Sequence, residues 1–282
     1  MTLEETLAQI KPLDKTAMEM AAKRWDSIAK PLHSLGKMEK LVIQIAGITG
    51  SADVSVKKRA LVPMCADNGV VEEGVTQTGQ EVTAIVAENF LSGDTSACVM
   101  SRQCGTKVFP VDIGMVVDTK VPTDLKIAYG TANMTKEPAM SREQAVQALE
   151  AGIEMVRRLK EEGYELLATG EMGIGNTTTS SAVAAVLLDR PAEEMTGRGA
   201  GLSGDGLTRK INAIKKAIEV NAPDPEDAID VLAKVGGFDI AGMAGMFLGG
   251  AALGVPVVID GFISCVAALI AQRICPTAGE YM

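Results

Sequence analysis

The chain has 282 residues, 47% of them hydrophobic and 22% charged, and a net charge of −9. That acidic balance argues against a nucleic-acid or anionic-membrane partner, since both need a basic surface. A single histidine, His33, and five cysteines with no C-x-x-C pair argue against a Ser-His-Asp triad, a metal site or a disulfide framework.

The first residues carry Glu4 and Glu5 and lack a signal-peptide pattern. No charge-free apolar stretch reaches the length of about 18 residues that a membrane span needs. The expected compartment is the cytoplasm.

Apolar residues at a period of 3.6 predict helices over 15–30 and 37–48, separated by Pro31 and a turn at Ser34-Leu35-Gly36. The apolar run 60–66 predicts a buried parallel strand ending at Asp67, although Pro63 counts against it. Helices follow over 80–91 and 94–103, then a strand over 107–113 and a loop over 122–140. Ser141 with Gln144 three positions on forms a capping box for a helix to about 162. A strand over 165–169 precedes helices at 176–188, 205–220, 225–235 and 238–253. A strand at 255–259 and a helix at 262–274 complete the pattern.

Strands alternating with helices predict an α/β fold with a doubly wound, mostly parallel, Rossmann-like sheet. The strandless residues 1–50 are expected to form a small helical cap, and 51–282 the α/β domain.

Ligands of such sheets bind beyond the carboxyl ends of the strands. Acidic residues and glycines recur there: Asp67-Asn68-Gly69, Asp112-Ile113-Gly114, Gly170-Glu171 and Asp260-Gly261. Taken singly, each is also an ordinary loop former. The richest segment is GEMGIGNTTT at 170–179. Its glycines let backbone approach a ligand, and Thr177, Thr178 and Thr179 open a helix, which makes a phosphate site. It is neither a Walker A loop nor a G-x-G-x-x-G fingerprint. A second glycine-rich segment, 197–206, leads to three candidate cations: Arg198, Arg209 and Lys210. A basic residue in a helix's first turn opposes the dipole, which favours a ligand role for Lys210.

With these segments side by side, the sequence resembles the nicotinate-nucleotide–dimethylbenzimidazole phosphoribosyltransferases. The resemblance runs through PLHSLGKME (31–39), ADNGVVEEGVTQTGQEVT (66–83), VDIG (111–114), GTANMTKEPAM (130–140), GEMGIGNTTT, 197–210 and VIDGF (258–262). It implies transfer of ribose 5-phosphate from nicotinate mononucleotide to a benzimidazole, purine or phenolic base, with no cofactor and no metal. By that resemblance Gly175, Asn176, Thr177, Thr178 and Lys210 hold the 5′-phosphate, and Gly173 and Asp260 join the substrate-binding set. Glu171 has a supporting catalytic role near the ribose, and Gln80 lines the base pocket. A homodimer is implied, or a heterodimer with a paralogue.

Two positions depart from the family. Asn68 stands where His is usual, and His33 where Gly is frequent. The family pattern also continues beyond Met282, with a Ser-His motif and a GEGTGA-like motif whose Glu is the proposed general base. A non-catalytic nucleotide-binding paralogue or partner subunit is therefore the alternative expectation.

Overall fold

A run of apolar residues can lose water on both faces at once, and Arg59–Ala66 does so as β1. In the computed structural model, which describes residues 1–282, β1 pairs on one flank with β2 (Thr106–Val108) and β3 (Val111–Gly114). On the other flank it pairs with β4 (Leu166–Met172), which in turn pairs with β5 (Val257–Val258). Every pairing is parallel. The doubly wound α/β sheet is thus the observed fold.

Three strand bounds differ from expectation. The strand predicted at 107–113 is two pieces, because Pro110 has no N–H for the ladder. The last strand is two residues long rather than five. β4 runs on through Gly170, Glu171 and Met172, which pair with Pro63, Met64 and Cys65. Glu171 therefore projects from a hydrogen-bonded strand and not from the loop beyond it.

The helices are α1 (Leu3–Leu7), α2 (Lys15–Ser27), α3 (Lys37–Thr49), α4 (Glu81–Ser92), α5 (Ser96–Gln103) and α6 (Arg142–Glu161). They continue as α7 (Asn176–Leu187), α8 (Ala192–Met195), α9 (Gly204–Asn221), α10 (Ala228–Val235), α11 (Phe238–Leu253) and α12 (Gly261–Ile274). Both halves of the Ser141 capping box at α6 are formed. The short α1 and α8, and the 3₁₀ turns at Gly69–Glu73 and Pro276–Tyr281, have no apolar period long enough to read.

α11 is the central helix. It packs on β1, β3 and β4 and is flanked by α6 and α12. Its small residues let the α6 backbone touch it: a β-carbon at Gly152 would fall on the Gly242 carbonyl. The opposite face of the sheet is covered by α4 and α5 over Cys65, Phe90, Cys98 and Met115.

α2 and α3 pack together as a hairpin, while α1 lies against α6 and α11. The Tyr281 hydroxyl donates to the Lys11 carbonyl at 2.6 Å, and Gln44 Nε2 donates to the Met282 carbonyl at 2.9 Å. No helix is long and apolar enough to cross a membrane.

Candidate active site

Because all strands are parallel, their carboxyl ends share one edge of the sheet. Asp67 and Asp112 lie fully buried on that edge, but both are engaged by loops. Asp67 accepts from the Val116 N–H at 2.9 Å, and Asp112 from the Met115 N–H at 2.9 Å. Asp112 also pairs with Lys126 at 3.2 Å. These two acids hold the chain after β3.

Beyond β4 the chain turns through Gly173-Ile174-Gly175 into α7. Gly175 is left-handed at φ 96°, a conformation side chains rarely adopt, and it leaves α7 without a side-chain cap. The N–H groups of Asn176 and Thr178 bond back to the carbonyls of Gly173 and Gly175, at 3.0 and 2.9 Å. No backbone carbonyl accepts from Thr177 N–H. Fewer donors are therefore free here than the four N–H groups that an unsatisfied helix start presents.

Lys210 reaches this point from α9. Its Nζ donates to Thr177 Oγ1 at 2.7 Å, and its side chain is about 1% exposed. No carboxylate pairs with it, and burial pushes its pKa down to about 8. Arg209 instead donates to the Gly74 carbonyl at 3.3 Å, and Arg198 to the Leu202 carbonyl at 2.7 Å. The dipole argument for Lys210 does not hold, because α9 begins at Gly204 and places Lys210 in its second turn. What singles it out is burial.

Two cavities share the Lys210–Thr177 contact as a wall. One, of about 130 Å³, is lined by Gly173, Gly175, Asn176 and Arg198. The other, of about 480 Å³, is lined by Ser181, Thr196, Gly199 and Phe262. Gly173, Gly175, Asn176, Thr177 and Lys210 are therefore assembled at one place. Thr178 is not: it is fully buried, lines neither cavity, and its hydroxyl has no partner.

Glu171 is half-buried, and Asn176 Nδ2 donates to its Oε2 at 2.5 Å. Burial, with the nearby Asp260 charge, pushes its carboxyl above the usual range. Asp260 itself precedes α12 and caps nothing with its side chain. Gln80 Nε2 donates to the Asn68 carbonyl at 3.2 Å and lines neither cavity.

Asp239, on the first turn of α11, was not among the residues that the sequence singled out. It is fully buried, and Asn176 Nδ2 donates to its Oδ2 at 2.8 Å. The available signal was a lone acid in an otherwise uncharged helix. Asn68 packs in the same layer: β-carbons at Gly173 and Gly237 would each strike atoms of both Asn68 and Asp239.

Comparison with known proteins gives a consistent result. Residues 10–282 match the family model described as a phosphoribosyltransferase. The nicotinate-nucleotide–dimethylbenzimidazole phosphoribosyltransferase of Ruminiclostridium cellulolyticum is 53% identical over 284 residues, covering 100% of this chain and 81% of its own length. The enzyme of that name from Clostridium tetani is 49% identical, covering 99% of this chain and 78% of its own. The crystal structure of CobT from Thermus thermophilus superposes with a TM-score of 0.88 at 37% identity, over 94% of this chain and 80% of that one.

Proposed function

The chain belongs to the nicotinate-nucleotide–dimethylbenzimidazole phosphoribosyltransferase family, and from that premise we propose the reaction it carries out. The phosphoribosyl group of nicotinate mononucleotide passes to 5,6-dimethylbenzimidazole or a related base. The products are α-ribazole 5′-phosphate and nicotinate.

The observation that carries this reading is the buried Lys210 ammonium beside Thr177. A buried cation without an acid costs several kcal/mol, roughly, unless an anion arrives. A 5′-phosphate at the start of α7 supplies that anion, bonded by Lys210 Nζ, Thr177 and the Gly175 turn.

The reaction forms a bond from a ring nitrogen of the base to C1′ and breaks the bond from C1′ to nicotinate. The breaking pair returns to the pyridinium ring and neutralises it. The proton on the other ring nitrogen of the incoming base passes to a general base, which leaves the product ring neutral. In this scheme an ionised Glu171 favours the positive charge that develops at the ribose, and Gln80 and Asp260 flank the bound base and sugar. The names carried by the curated relatives favour this transferase over a non-catalytic paralogue.

We further propose that two copies pair, since Leu32, Leu35, Met38 and Leu41 stand exposed around the start of α3. α11, buried along nearly its whole length, is committed to the core. Five free cysteines suit a cytoplasmic setting.

Calorimetry with two ligands tests the site. Nicotinate riboside, which lacks the phosphate, should bind at least about tenfold more weakly than the mononucleotide, about 1.4 kcal/mol. Equal affinities overturn the assignment.

A further inference from the structure

Asn176 has one amide nitrogen and two hydrogens on it. That nitrogen donates to Glu171 Oε2 at 2.5 Å and to Asp239 Oδ2 at 2.8 Å. The two carboxyl groups are thus no further apart than two hydrogen bonds laid end to end. Asp239 is completely buried, whereas Glu171 keeps contact with solvent.

The charged groups facing this pair are acidic. Asp260 faces Glu171 from the start of α12, and Glu171 faces Asp239. Asp112 on β3 faces the Cys65 thiol, as do both members of the pair. No ion pair of the fold includes Glu171 or Asp239. Two carboxylates this close, one of them fully buried and neither paired with a cation, cannot both ionise cheaply, so the pair retains a proton.

The backbone is shaped to admit the second acid. A β-carbon at Gly173 would lie 2.6 Å from Asp239 Oδ2, and one at Gly237 would lie 2.7 Å from Oδ1. Glycine at both places leaves room for a carboxyl group where an apolar side chain would pack more cheaply.

We propose that Asp239 is a positioning residue for the transfer: it carries the proton of a Glu171–Asp239 pair bridged by Asn176, and so leaves Glu171 ionised toward the ribose. This rests on the reading that the site takes nicotinate mononucleotide. Two neighbouring acids whose environments drive them apart divide the roles of neutral acid and anion. Burial, reinforced by Glu171, pushes Asp239 up to about 7, in keeping with that division.

Infrared titration of the unliganded chain tests it. The protonated-carboxyl band of Asp239 is isolated by subtracting the spectrum of Asp239→Asn, which keeps an oxygen acceptor for Asn176. In wild type this band should titrate with a midpoint near the value of about 7 expected for Asp239. In Glu171→Gln, with the double variant as its reference, the midpoint should fall by about one pH unit or more, because the neighbouring anion is gone. An unchanged midpoint means that Asp239 is a lone buried acid, and overturns the pairing. If Asp239→Asn does not fold, chains labelled with carbon-13 at the aspartate carboxyls still decide. At the isotope-shifted frequency the wild-type-minus-Glu171→Gln difference reports aspartates alone, and the absence of a titration there overturns the pairing. Calorimetry with nicotinate mononucleotide separates the two ideas. Binding together with an unmoved midpoint sinks the pair alone, and a moved midpoint without binding sinks the functional reading alone.

Discussion

Lys210 Nζ and Thr177 Oγ1 lie 2.7 Å apart across 33 positions of sequence, and the lysine has no carboxylate partner. The contact joins α9 to the first turn of α7 and divides the two cavities of the site. A hydroxyl satisfies one of the three ammonium hydrogens and none of its charge. The apo-protein therefore carries an electrostatic deficit that an anionic ligand relieves.

Replacing Lys210 by Met should weaken nicotinate mononucleotide by about 1.5–3 kcal/mol, the worth of a hydrogen bond to a charged group. Nicotinate riboside should bind the variant and the wild type alike. Calorimetry on both ligands checks this, and an equal loss for both would mean a collapsed pocket.

The same lysine makes apo stability depend on pH. Its folded pKa of about 8 lies below the ordinary 10.5. Between these values the unfolded chain binds a proton that the folded chain has released, so stability should rise with pH across the window. The contribution is of the order of 3 kcal/mol. Thermal melts of wild type against Lys210→Met should show the extra rise in wild type only.

Glu171→Gln should lower kcat by about tenfold or more and change mononucleotide affinity by less than about threefold. A carboxylate on the ribose matters most when positive charge develops there. Single-turnover rates beside calorimetric affinities provide the check. An unchanged rate would make Glu171 a structural residue.

Gly152→Ala should destabilise the fold by about 1–3 kcal/mol, because the added carbon meets the Gly242 carbonyl where α6 crosses α11. Chemical denaturation measures the loss. A stability within about 0.5 kcal/mol of wild type would show that the two helices separate readily.

Light scattering at micromolar protein should give the mass of two chains. Replacing Leu35 and Met38, both exposed near the start of α3, with charged residues should shift the population toward one chain. A monomeric wild type would refute the dimer.

How much of this was legible in the chain depended on range. Period and capping are local, so α6 with Ser141 and Gln144, and α11 with its uncharged run, could be read from neighbouring residues. So could the alternation that yields a parallel sheet, and the glycine-threonine run at 170–179 that starts α7. Where β4 stops was not local. Its ladder with β1 extends as far as Met172, and so puts Glu171 on a strand rather than in a loop.

The choice among Arg198, Arg209 and Lys210 likewise needed the packed structure. Three cations of similar reach differ only in what the fold leaves for each: two stay exposed and meet backbone carbonyls, and one is buried against Thr177. Asp239 shows the limit most clearly. Sixty-three residues separate it from Asn176, and nothing around it in sequence says that burial will set it against Glu171. Secondary structure follows from contacts three or four residues apart, whereas the ionisation of a carboxyl group follows from what surrounds it in space.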